Sequence, residues 1–276
     1  MDSTQTEYSL SCREFHREMQ MRAKMTGRLA GAGIALLYST CIANAAEVHV
    51  LTAGALQVAM RSLATDFEKQ TGNHVTIMPV NPALVEKELA GGNYDVIAAA
   101  TPTIAEFDES GRLQAGTRSM IARTGIGIAI KQGAPKPDLS TVTAFKKAVH
   151  DAKSIIYTDP STPNASGANT QHILTNAGLL DEVKKKGTQE GLAQGRESIA
   201  KGEYQMGFFN VSEALAPGVE LAGPVPAALQ QYLAYDAAVL KTAPDKDAGA
   251  AFVKFISSRA AGANWKAAGL DQLNPH

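Results

Sequence analysis

Cysteine is almost missing from this chain: of 276 residues only Cys12 and Cys41 carry a thiol, and both precede residue 45. From residue 46 onward a disulfide, a thiolate metal site and a thiol nucleophile are therefore excluded. A surplus of charge is missing too. With 26 basic and 27 acidic residues the formal net charge is −1, which leaves no electrostatic footprint for nucleic acid. The triplet Lys184-Lys185-Lys186 reads as a solvated helix face. No GxxxxGK[ST], HExxH, GxSxG or zinc-type Cys/His spacing occurs, so the usual signatures of phosphate-loop, metallo- and serine-nucleophile enzymes are absent. The histidines at 49, 74, 150, 172 and 276 form no close pair, and TGIG (124–127) is too short for a dinucleotide fingerprint.

What is present begins with an export pattern. From Met21 the chain reads MRAKMTGRLAGAGIALLYSTCIANA, with basic Arg22, Lys24 and Arg28, an apolar stretch from Leu29 to Leu37, and Ala43-Asn44-Ala45 as a cleavage site. That three-part order is a secretory signal peptide, and its apolar stretch is too short for a permanent membrane span. Residues 1–45 are thus expected to be a signal peptide with an N-terminal extension, cleaved near Ala45, which places the mature protein in the periplasm. Cleavage removes five basic and four acidic residues and leaves 21 basic against 23 acidic.

The remainder alternates strand-like and helix-like segments. VHVLT (48–52) is followed by Leu56, Met60, Leu63 and Phe67 at helical spacing, and Gly72 is placed to stop that helix. HVTIMPV (74–80), a short helix begun by Pro82, and YDVIAAA (94–100) complete a βαβαβ run, which predicts parallel strands covered by helices. Residues 123–139 read as a strand with interleaved glycines and a Pro-rich turn, and 140–152 as a helix capped by Ser140. A strand (153–160), a polar loop (161–170), a helix (169–180), a helix–turn–strand (195–210), two extended segments (219–226 and 230–240) and a helical end (245–269) follow. We expect an α/β protein of two lobes, 47–122 with 230–276 and 124–225, around a ligand cleft.

Ligand residues in such sheets gather where strands end and helices begin. The junction TAGAL (52–56) lacks any Ser, Thr, Asp or Asn after Thr52 to cap its helix, and Gly54 allows close backbone approach. Bare N–H groups at a helix start attract anions. VNPAL (80–84) places Asn81 before the next helix, and TDPSTPNASGANT (158–170) offers Thr158, Asn164, Ser166 and Gly167. Together these junctions read as an anion clamp. Asp108-Glu109 and Asp181-Glu182 are adjacent on helices and diverge.

The signal peptide, AEVHVLTAGALQVAMRSLATDFEKQTG, GGNYDVIAAA, YTDPSTPNASG, NAGLLDEVKKKG and KGEYQMGFFNVSEA, in that order, resemble the molybdate-binding-like periplasmic solute-binding proteins. The resemblance covers almost the whole mature chain. It implies a type 2 periplasmic-binding fold, two α/β lobes joined by crossing strands that close on an oxyanion. Where molybdate binders of that family carry a serine at the first junction, serines at the second and a tyrosine before the late SDA-like motif, this chain has Ala55, Asn81 and Asn210. Each missing donor to a buried oxyanion costs about 1–3 kcal/mol, so two or three losses weaken molybdate by orders of magnitude. Ala100 and Thr101 after the third strand, and Arg123 and Thr124 at the crossing strand, complete the candidate ligand set. Arg123 suits a carboxylate, which it can hold bidentately.

The stretch RTGIG…GAPKPDLSTVTAFK is similar to proteins of the family that handle organic anions, one branch of which resembles periplasmic aconitate isomerase. Two functions stay open at this point. One is capture of a di- or tricarboxylate for a membrane transporter, by a monomer without cofactor. The other is a cofactor-free allylic proton shift between cis- and trans-aconitate, for which Tyr157, Asp159 and His172 are the candidate bases by position. No metal and no nucleic acid enters either function.

Overall fold

The computed structural model describes residues 45–161 and 165–274; the expected signal peptide, save Ala45, and Asn164 lie outside them. The chain runs β1 (Glu47–Ala53), a 3₁₀ turn (Gly54–Leu56), α1 (Gln57–Thr71), β2 (His74–Val80), a second 3₁₀ turn (Pro82–Leu84), α2 (Val85–Gly91), β3 (Val96–Ala100), α3 (Thr101–Glu109), β4 (Ser119–Thr124) and β5 (Ile126–Lys131). It continues through α4 (Val142–Asp151), β6 (Ile155–Thr158), α5 (Ala165–Asn176), α6 (Leu180–Lys186), β7 (Gly187–Glu190), α7 (Leu192–Lys201), β8 (Met206–Asn210) and α8 (Val211–Ala214). β9 (Val219–Pro224), β10 (Leu233–Val239), α9 (Lys246–Ser257), α10 (Gly262–Ala267) and β11 (Asp271–Gln272) close it.

These strands form two mixed sheets, ordered β11-β4-β10-β3-β1-β2 and β7-β6-β8-β5-β9. In the first, β1 pairs parallel with β2 and β3, as the βαβαβ pattern predicts, and β10 joins antiparallel between β3 and β4. Late sequence thereby returns to the early sheet. The central strands are short and apolar, and each sheet carries its own core. Met60, Leu63 and Phe67 of α1 pack with Phe252 and Trp265 on one face of the first sheet, while Phe145, Ile173 and Phe208 anchor the second.

Three local expectations are corrected. The strand expected to open 123–139 is the end of β4 and all of β5, parted at Gly125, and the Pro-rich turn follows Lys131. At Gly125 a Cβ would stand 2.6 Å from the Gln230 side chain. The cap of α4 is Thr141, whose Oγ1 accepts from the Ala144 N–H at 3.0 Å. Ser140 instead uses its own N–H to reach Asp138, a short polar turn that carries the chain into the helix one residue later. The helix expected over 169–180 begins at Ala165 and ends at Asn176, with Gly178 in the left-handed region before α6.

The two sheets are joined at Gly125 and by the chain between β9 and β10, and Gln230 fastens these crossings. Its Oε1 accepts from the Ile126 N–H at 2.7 Å, and its Nε2 donates to the carbonyls of Ile126 and Val225. Gln230→Ala leaves the Ile126 N–H without this acceptor, while the Ile126 carbonyl keeps the Val225 N–H at 3.0 Å; the change is expected to cost about 1–3 kcal/mol, read as a lowered denaturant midpoint with an unchanged slope.

Candidate functional site

Four strand–helix junctions open on one cavity of about 470 Å³. Ala53 ends β1 and Gly54 follows it, Asn81 and Pro82 follow β2, Ala100 ends β3, and Asn210 ends β8 of the other sheet. The walls are small or apolar: alanines from β3, Val80, Leu233. Parallel β1 and β3 must deliver their C-terminal ends to the same side, and the β8–α8 turn faces them from the second sheet.

Ala53, Ala100 and Asn210 stand at helix N-caps, and none makes a side-chain capping bond. Apolar N-caps are unfavourable by about 1 kcal/mol each relative to Ser or Asp. Two of them on one cavity mark places where N–H groups are reserved for something else. The exception is Asn81, whose Oδ1 accepts from the Ala83 N–H at 3.0 Å. A second, independent observation points the same way. Asn210 is 1% exposed, it lines the cavity, and its Oδ1 has no hydrogen-bond partner among the described residues. Buried polar atoms are normally satisfied.

Three polar side chains in the cavity were not among the sequence candidates: Thr103, Tyr235 and Glu213. Glu213 Oε2 accepts from Asn210 Nδ2 at 2.7 Å. Burial, and then the Glu213 carboxylate, push the Tyr235 phenol far above its ordinary range, so it stays protonated and a donor. Among the described residues no lysine or arginine lines the cavity, which leaves backbone N–H groups and a few side chains as its donors.

A model of the family described as bacterial extracellular solute-binding protein matches residues 48–271. The chain belongs to this family. Aconitate isomerase from Pseudomonas sp. is 29% identical over 238 residues, covering 82% of this chain and 89% of that protein. The molybdate-binding protein ModA of Azotobacter vinelandii is 28% identical over 233 residues, covering 82% of this chain and 88% of its own. Among solved structures, the substrate-binding domain of a molybdenum ABC transporter protein from Clostridium difficile superposes with a TM-score of 0.71 at 18% identity, covering 83% of this chain and all of that one.

Within this solute-binding fold the sequence candidates separate. Gly54, Ala55, Asn81, Ala100 and Asn210 line the cavity. Thr101 stands beside it with its hydroxyl donated to Asp236 at 2.7 Å. Thr124 is buried, and its Oγ1 accepts from the Ser212 N–H in the first turn of α8. Arg123 lies over the Tyr232 ring, 4.0 Å from its centroid, with Asp271 at 3.4 Å, and does not line the cavity.

The third junction does structural work at the edge of β6. Thr158 and Ser166 are buried and bond each other at 2.9 Å. At Gly167 a Cβ would meet the Thr158 carbonyl at 2.5 Å, so glycine lets α5 sit directly on the strand end. Gly167→Ala is expected to cost about 1–3 kcal/mol by overpacking, checked by thermal unfolding. Of the candidate bases, Tyr157 is buried with its hydroxyl held by Gln189 Nε2 at 2.6 Å. His172 is exposed on α5. Bonds from Ser161 hold the Asp159 carboxyl below its ordinary range, which weakens it as a base. None of the three lines the cavity.

Proposed function

We propose that this protein captures a small organic anion, a di- or tricarboxylate rather than molybdate, and delivers it to a membrane transporter. The observation that carries this reading is the convergence of uncapped N-caps at Ala53 and Ala100 on a cavity with few hydroxyls. Hydroxyl donors for a compact tetrahedral oxyanion are scarce there, whereas separated N–H clusters suit the separated carboxylates of an extended anion. The lobes 47–122 with 230–276 and 124–225 are the halves that close on it. Residues 1–45 act as the signal peptide, and the mature monomer works in the periplasm without a cofactor.

A second reading, isomerisation of aconitate by an allylic proton shift, is favoured by one observation: a carboxylate, Glu213, stands in the cavity where an anion is to bind. The 29% identical isomerase supports the same reading.

Titration calorimetry with succinate, citrate, both aconitate isomers and molybdate tests the ligand class. Heat from one or more carboxylates, with none from molybdate, is the expected result. Molybdate binding without carboxylate binding overturns the reading.

A further inference from the structure

A cavity built only to hold an anion gains nothing from a carboxylate. Glu213 nevertheless faces the ends of β1 and β3 across this cavity, and two features fix how it is presented. Its side chain takes a hydrogen bond from the buried Asn210 amide at 2.7 Å. Its own carbonyl accepts from Arg196 Nη1 at 3.0 Å, which secures the turn that bears it. The arrangement holds one carboxylate at a set place, next to a phenol, Tyr235, that remains protonated. Like charges in one cavity repel, so Glu213 works against the capture of a tricarboxylate, and its place here calls for a second role.

We infer that Glu213 is the acid–base group of this cavity, moving a proton along an unsaturated tricarboxylate. This rests on the ligand class and on the second reading above. The Glu213 carboxylate takes a proton from the methylene carbon beside one ligand carboxyl group. The C–H electron pair becomes the new C=C bond, and the former C=C pair moves out to the far vinylic carbon. That carbon receives the proton back from Glu213. No atom or electron is gained or lost, and no co-reactant is consumed. Negative charge that spreads onto the ligand carboxyl groups meets the N–H groups beside Ala53 and Ala100 and the neutral Tyr235 hydroxyl, donors already oriented before the proton moves. Asn210 is a positioning residue, holding the carboxylate through Nδ2.

Proton NMR in D2O tests this with the purified protein and each aconitate isomer, alongside calorimetry on the same samples. The wild type is expected to exchange ligand methylene protons and interconvert the isomers. Glu213→Gln is expected to lose about 10²- to 10⁴-fold of that rate while binding the ligand as tightly or more tightly, because the repulsion is gone. A merely structural glutamate predicts the opposite, weaker binding. Glu213→Asp, which keeps the charge and withdraws it by one methylene, should retain binding with a reduced rate, and it carries the test if the glutamine variant does not fold. Exchange equal to wild type in either variant overturns the assignment. Wild-type binding without exchange also overturns it and leaves the carboxylate reading standing. Failure of the wild type to bind any carboxylate removes that reading and this inference together.

Discussion

Gly54→Val is expected to abolish ligand binding while leaving the fold intact. A Cβ at residue 54 meets nothing within 4 Å, and Gly54 lines the cavity, so the added side chain is expected to take ligand space rather than displace the core. Gly54 has no left-handed backbone to defend, since it is not among the positive-φ glycines. Its role is therefore access to the N–H groups that follow Ala53. Losing two charge-assisted bonds at about 1.5–3 kcal/mol each lowers affinity by roughly 10²- to 10⁴-fold. Calorimetry should show no heat, and thermal unfolding without ligand should match wild type. Unchanged affinity would mean the anion does not approach over Gly54.

Arg118→Met is expected to be among the most destabilising single changes. Asp236 is fully buried on β10, accepting from Arg118 Nε at 2.8 Å and from Thr101 Oγ1 at 2.7 Å. The Asp236 hydrogen bond raises the Arg118 pKa further above its already high value. Removing the arginine leaves a buried carboxylate with a single hydroxyl donor. Stranding one member of such a pair costs about 3–5 kcal/mol, less here to the extent that Arg118 is one-third exposed. Because Thr101 opens α3 next to the cavity, the variant should also weaken ligand binding. Pairing it with Asp236→Leu removes the stranded charge and should recover part of the stability. If the double variant is no more stable than Arg118→Met, the desolvated carboxylate is not the cause.

How far the sequence could be read depends on how local each signal is. The helix from Gln57 to Thr71 and its stop at Gly72 follow from apolar spacing and one left-handed glycine, so they are visible in the string itself. The uncapped junction at residues 52–56 is legible for the same reason: an absence of capping side chains is a local fact. Ser140 and Thr141 compete for one cap, and only backbone geometry decides between them. The start of α5 at Ala165 was hidden in a polar stretch that looks like loop.

Glu213 was missed because its meaning is not local. In N-V-S-E it sits three residues after the N-cap Asn210, the spacing of a capping box, and it reads as an ordinary helix-start acid. Only the pairing of β8 with β5 and β6, and the turn of α8 toward the first sheet, bring it opposite Gly54. That spacing, next to a strand end, is the signal that could have nominated it. Arg123 shows the converse: a cation at a plausible position, drawn away by Tyr232 and Asp271, partners far along the chain.

The central claim is that the missing cap of the first junction is supplied by the ligand. A crystal structure with a bound di- or tricarboxylate tests it most directly. The account predicts a carboxylate oxygen within hydrogen-bonding distance of backbone nitrogens among residues 54–56, with the rest of the ligand reaching toward Asn210 and Glu213. A ligand seated away from those nitrogens, held by Arg123 or by the β6–α5 junction, would contradict it.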